Sequence, residues 1–164
     1  MNGTIALNPA ALCGYTSSAS VSDHGKSLVE MMSALWRKLF EGTVLGRSLE
    51  ESLDKLVEVY VESSEPNWDG YGAAPLTEES LRNAAIFLCT LPQDLPTPDI
   101  SADAQGEIHF EWFSNPYRTF SVSIGSKGVA SYAGLFGASR TRGFEFQSNW
   151  TAPNIVSNIK RVFE

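Results

Sequence analysis

Glu107, His109 and Glu111 alternate with apolar residues in the stretch Glu107-Ile108-His109-Phe110-Glu111-Trp112. An extended backbone sends all three to one face, where they can converge on a proton or a ligand. A histidine between two carboxylates is favoured as imidazolium, which suits a general acid. The same row is also what an antiparallel sheet shows to water, and that is its ordinary reading. A second group lies upstream, in Pro66-Asn67-Trp68-Asp69-Gly70-Tyr71-Gly72-Ala73-Ala74-Pro75. Glycine and proline punctuate this run too heavily for helix or strand, yet it carries two large aromatics and a carboxylate where a linker would carry serine or lysine. With the loop folded over the strand, Trp68, Asp69, Tyr71, Glu107, His109 and Glu111 make one ligand-binding set. Asp69, His109 and Glu111 are then its catalytic acid/base candidates, with Asp69 and Glu111 as a carboxylate pair. Without that closure, Trp68 plugs a seam between layers, Asp69 caps a turn, and Gly70 and Gly72 supply φ values other residues avoid.

Most other machinery is absent. His24 and His109 are the only histidines, so a His-rich metal site is excluded, no serine or cysteine occupies a nucleophile elbow, and neither metal nor cofactor is expected. Asp23-His24-Gly25-Lys26-Ser27 imitates the end of a phosphate loop, but Ser20 stands where the first glycine belongs, and helix capping accounts for these residues. Gly134, Gly137 and Gly143 with Ser139, Arg140, Thr141 and Arg142 could offer amides and two cations to an anion, although a flexible strand connection explains them as well. Cys13 and Cys89 lie far apart in no metal or redox spacing, and Cys89, inside an apolar stripe, reads as a buried free thiol.

The net charge of -7 is uneven: residues 1–90 carry 12 acids against 6 bases, and residues 91–164 carry 7 against 6. No basic stripe is available to displace counterions from phosphates, so nucleic acid is not an expected partner. No stretch reaches the roughly 18 apolar residues of a membrane span, and the start lacks a basic secretion signal, so a cytoplasmic protein without membrane contact is expected.

The elements that must position these residues follow from periodicity. Residues 1–164 read as a single domain, 43% hydrophobic and 19% charged, ample for a continuous core. Residues 1–21 form a tail, either loose or pinned. Residues 22–64 form a helical hairpin: one helix runs from Ser22 or Asp23 to about Glu41, and a second from Ser48 to about Glu62 carries Leu49, Leu53, Leu56, Val57 and Tyr60 on one stripe. Thr77 caps a third helix with Leu81, Ala84, Ala85 and Leu88 inward, and Pro92, Pro96 and Pro98 end it.

From Asp99 to about Gln147 an antiparallel meander of four to five strands is expected, with turns at Ala104-Gln105-Gly106, Asn115-Pro116-Tyr117 and Ser126-Lys127-Gly128. Matching apolar faces puts Trp112 opposite Phe120, Phe110 opposite Val122 and Ile108 opposite Ile124, which leaves a three-residue loop at Asn115–Tyr117. Thr119, Ser121 and Ser123 then share the polar face with Glu107, His109 and Glu111. The strand at residues 129–134 has two possible registers, with Tyr132 or Ser131 inward, and a further strand runs from Arg142 to Gln147. Pro153 opens a closing helix with Ile155, Ile159, Val162 and Phe163 inward. Helices, then sheet, then one helix make an α+β fold.

The order Asn67-Trp68-Asp69-Gly70-Tyr71-Gly72-Ala73, a short helix ending in Phe87-Leu88 and Leu91-Pro92, then Gly106-Glu107-Ile108, Glu111-Trp112, Ser121-Val122-Ser123-Ile124-Gly125 and Ser131-Tyr132-Ala133-Gly134 resembles a family of small uncharacterised bacterial proteins often carried on mobile elements. The likeness covers residues 65–164, with the helical hairpin outside it. It implies the α+β architecture and no activity. An antitoxin-like or regulatory role is expected from it and from the acidic charge alone.

The expectation that follows is a non-enzymatic binding or protein-interaction module. Its acidic helices would make a homodimer or partner contact, and the open sheet face with Trp68 and Tyr71 would make a second surface. The alternative is a small hydrolase or carbohydrate-processing enzyme using Asp69, Glu111 and His109, with Trp68, Tyr71 and Trp112 as stacking platforms; Trp112 faces the core in the register above, which weakens it.

Overall fold

The computed structural model describes residues 47–149 and 153–164, all within one compact unit, Leu45–Glu164. The expected tail, the first helix of the hairpin, His24 and Cys13 lie outside the described residues. Helix α1 (Arg47–Ser63) is amphipathic as expected, with Glu50, Glu51, Asp54, Glu58 and Glu62 all exposed. Its buried stripe is rotated from the expected one: Leu53, Leu56, Val59 and Tyr60 are inside with Ser52 and Ser63, whereas Leu49 and Val57 are only half-buried. The two serines share the inward row with Leu56 and Val59, so a hydropathy count places the stripe's centre on the wrong side.

Helix α2 (Glu78–Thr90) begins where the sequence places it, because the Thr77 hydroxyl accepts the Ser80 N–H at 3.1 Å and satisfies one of the free donors of the first turn. Leu81, Ala84, Ala85, Phe87 and Leu88 are buried. Cys89 on the same helix is a half-buried free thiol, pushed up to about 11 by burial. The proline crossing that follows has a structural use, since the Pro96 carbonyl accepts the Trp112 indole N–H at 2.7 Å. An indole so enclosed must find a partner for its one donor.

The sheet has five strands in simple sequence order, each antiparallel to the next: β1 (Asp99–Ala102), β2 (Ile108–Asn115), β3 (Arg118–Ile124), β4 (Val129–Phe136) and β5 (Ser139–Phe146). The β2–β3 register is the one the apolar faces select, with Ile108 opposite Ile124, Phe110 opposite Val122 and Trp112 opposite Phe120. The turn differs. Asn115 pairs with Arg118, which puts a bulge at Ser114 and leaves a two-residue turn, where Asn115 Oδ1 accepts the Tyr117 N–H at 3.0 Å. A side chain that supplies its own turn acceptor closes the hairpin more tightly than face matching alone requires.

In β4 the register is decided for Tyr132, which pairs with Val122 and lies 5.8 Å from Phe120 between ring centres, leaving Ser131 on the outer face. β5 starts at Ser139 and includes Gly143, while Gly134 lies within β4, so the glycine-rich connection expected there is regular strand except at the turn, where Gly137 has φ 65°. Aromatic rings explain the two strand glycines: a Cβ on Gly134 would come within 2.8 Å of Phe136 and 2.9 Å of Phe120, and one on Gly143 within 2.5 Å of Tyr132. The missing side chains are the space these rings occupy.

The described helices pack on one face of the sheet. α1 packs on β1 and α2, α2 on β2 and β3, and α3 (Pro153–Val162) on β2, β3 and β4. Ile155, Ile159 and Val162 of α3 join Ile100, Ile108, Phe110, Trp112, Phe120, Val122 and Ile124 in the core. Phe163, expected on that stripe, falls beyond the helix end and is exposed.

Candidate functional site

No described element covers the opposite face of the sheet, and its contents follow from the register. One row across the five strands reads Asp99, Glu111, Ser121, Ala133, Arg142; the next reads Ser101, His109, Ser123, Ser131, Phe144; on the other side lie Phe113, Thr119, Leu135 and Arg140. Acids occupy β1 and β2, short side chains the middle, and arginines β5. Phe113, Phe144 and Phe146 are 57%, 63% and 58% exposed on this face, a large apolar display for an uncovered surface. Phe144 and Phe146 meet edge to face with ring centres 5.8 Å apart. A shallow depression of about 620 Å³ runs over β3 to β5, floored by Thr119, Ser121, Ala133 and Leu135 and walled by Arg140 and Arg142.

The three residues of the alternating row do share this face. His109 Nδ1 lies 3.0 Å from the Ser123 hydroxyl, and the Thr119 hydroxyl donates to Glu111 at 3.1 Å. Glu107 lies over Gly125, where a Cβ would come 3.1 Å from its carboxylate. Partial burial pushes its carboxyl above the usual range, Asp103 adds to this, and Lys127 opposes it.

The aromatic loop is built for its own closure. Asn67, Gly70 and Gly72 take positive φ of 64°, 77° and 93°, and the chain turns back so that the Asn67 N–H reaches the Ala73 carbonyl at 2.9 Å. Asp69 Oδ1 accepts the N–H groups of Tyr71 at 2.8 Å and Ala73 at 3.1 Å, and these two donors hold its carboxyl below the usual range. Asn67 Oδ1 accepts the Gly72 N–H at 2.7 Å. Trp68 is half-buried and donates from Nε1 to the Ala74 carbonyl at 3.2 Å, so it braces the loop from within. Tyr71 is 95% exposed at the tip. The loop's end rests on the β1–β2 turn, with the Ala74 N–H on the Ala104 carbonyl at 3.0 Å. Among the described residues, Trp68, Asp69 and Tyr71 form their hydrogen bonds within the loop.

Phe113, Phe144 and Phe146 are not among the expected site residues, and Arg140 and Arg142 are expected only within a glycine-rich connection that could meet an anion. The signal existed: from Ser139 onward, Arg140, Arg142, Phe144 and Phe146 alternate, and period two puts them on one face. The strand expected from Arg142 holds Arg142, Phe144 and Phe146 at alternate positions but leaves Arg140 in the connection before it. Two buried polar residues of α2 were also missed. Ser80 Oγ donates to the Gly106 carbonyl at 3.2 Å, and Asn83 Nδ2 donates to the carbonyls of Gly125 at 3.0 Å and Ser126 at 3.2 Å, tying the β1–β2 and β3–β4 turns to one helix.

Among the described residues no group of three His, Cys, Asp or Glu side chains could hold a metal ion, and no helix is long and apolar enough to cross a membrane. Compared with models of protein families, with curated proteins and with solved structures, the chain matches none.

Proposed function

We propose that this chain is a non-enzymatic protein-interaction module that works through the open face of its sheet. The observation that carries the reading is the exposure of Phe113, Phe144 and Phe146 beside Arg140 and Arg142 on a face no described helix covers. Aromatic residues and arginine are the types that dominate protein–protein contacts. A wide surface with only a shallow depression suits a macromolecule better than a small substrate, which needs an enclosing pocket. The helices are poorer candidates, since the apolar stripe of α1 is used in the chain's own core.

The use made of the carboxylates weighs against a hydrolase. Asp69 is held ionised by two amides of its own loop, so a general-acid role there has no support, and Glu111 is engaged by Thr119. An antitoxin-like or regulatory role on a mobile element would be one form of the interaction module.

The test uses the full chain, tagged, expressed in its native host beside an untagged copy. Wild type is expected to retain a protein, of the same or another kind, that Phe144→Ser/Arg142→Glu loses and Tyr71→Ala keeps. Equal retention by the double variant, or no retention by wild type, overturns the reading.

A further inference from the structure

The open face is divided by charge in a way that fits itself. Asp99 and Glu111 stand on β1 and β2, with Glu107 just before β2, and Arg140 and Arg142 stand on β5, with β3 as the middle strand between them. A partner of uniform sign meets repulsion from one half. A second copy turned over does not.

We propose that this face packs against the same face of a second copy of the chain, about a two-fold axis lying in the interface along β3. The inference rests on the interaction-module reading and names its partner. Such an axis lays β1 of one copy over β5 of the other and β2 over β4, while each position along the strands is kept. The rows across the sheet then determine the pairs. Asp99 of each copy faces Arg142 of the other, Phe113 faces Leu135, His109 faces Ser131, and Ser121 faces its own counterpart. The Asp99–Arg142 pair joins opposite charges and the Phe113–Leu135 pair joins apolar side chains, while Glu111 faces Ala133 and Phe144 faces Ser101.

Two further features favour this occupant. The strip along the axis carries Thr119, Ser121, Ser123, Ser131 and Ala133, short enough for two sheets to approach to about 10 Å in the aligned packing of a sandwich. Five strands about 4.8 Å apart and strands of about 25 Å give a plan area of about 600 Å² per copy. Two copies reach the lower edge of standard stable interfaces, and side-chain relief adds to it.

Sedimentation equilibrium on the full chain tests this, with circular dichroism and melting curves confirming that each variant folds, since Asp99 and Arg142 are both exposed but Asp99 Oδ1 also accepts the Ile100 N–H at 3.0 Å. Wild type is expected to dimerise with rising concentration. Asp99→Arg alone and Arg142→Asp alone each place like charges together and are expected to be monomers, whereas an equal mixture of the two variants restores one pairing of each kind and reassociates. A wild type that stays monomeric to about 1 mM overturns the inference. So does a dimer indifferent to Arg142→Asp, as strand addition at the β5 edge or contact through residues 1–46 would give. Failure of the mixture to reassociate overturns the proposed axis. If wild type is monomeric while Phe144→Ser/Arg142→Glu still loses a different protein from the native host, the second-copy inference falls and the interaction-module reading stands.

Discussion

Asp69 shows how a residue with catalytic chemistry can be wholly taken up by local structure. Its carboxylate receives the Tyr71 and Ala73 N–H groups and its folded pKa is lowered, first by the Tyr71 amide. A carboxyl with a lowered folded pKa contributes stability that is present above its unfolded value and lost as pH falls through the folded one. Asp69→Ala is therefore expected to melt earlier than wild type at neutral pH, with the gap closing as pH drops below about 4. Asp69→Asn keeps an oxygen acceptor and should lose less at neutral pH. Thermal melts from neutral to strongly acid pH check this, and an Ala variant displaced by the same amount at every pH would refute it. In the sequence this residue reads equally as acid, base or turn cap, because nothing local says which donors its oxygens will meet.

At the scale of elements, α2 does more than bury a stripe. Ser80 and Asn83, one turn apart, reach the Gly106 carbonyl and the Gly125 and Ser126 carbonyls, so a single helix fixes two hairpin turns at the same end of the sheet. Asn83→Ala leaves buried acceptors without their donor and is expected to cost about 1–3 kcal/mol in chemical unfolding, more than a surface substitution. A change below about 0.5 kcal/mol would mean water replaces the side chain. Helix spacing, the Thr77 cap and the β2–β3 register were legible because each depends on near neighbours or on one matched pair of faces. The bulge at Ser114 and the inward serines of α1 were not, since hydropathy carries no record of a side chain that supplies its own hydrogen bond.

For the whole molecule, the layers imply a gradient of protection. β3 is flanked by strands on both sides and roofed by α2 and α3, whereas β5 is an edge strand beyond the strands the helices pack on. Amide exchange is expected to be slowest in β3, opening only with global unfolding, and markedly faster in β5 through local opening. Equal protection of β3 and β5 would show that β5 is covered in solution. Such a result would also bear on strand addition at that edge, which face-to-face packing leaves free.

By itself the sequence determined the α+β order, the helix starts, the face-matched hairpin and the common face of Glu107, His109 and Glu111. All of these follow from periods of 3.6 and 2 and from turn chemistry, which are properties of neighbouring residues. Only the tertiary structure decided what stands around that face. β5 reaches back to Ser139, with Tyr132 in the space a side chain on Gly143 would take, and so adds Arg140 to Arg142, Phe144 and Phe146 at the edge of the face away from the acids. The aromatic loop closes on its own amides. Both outcomes depend on contacts between residues distant in the chain, or on which donors a folded loop presents, and neither is written in local spacing.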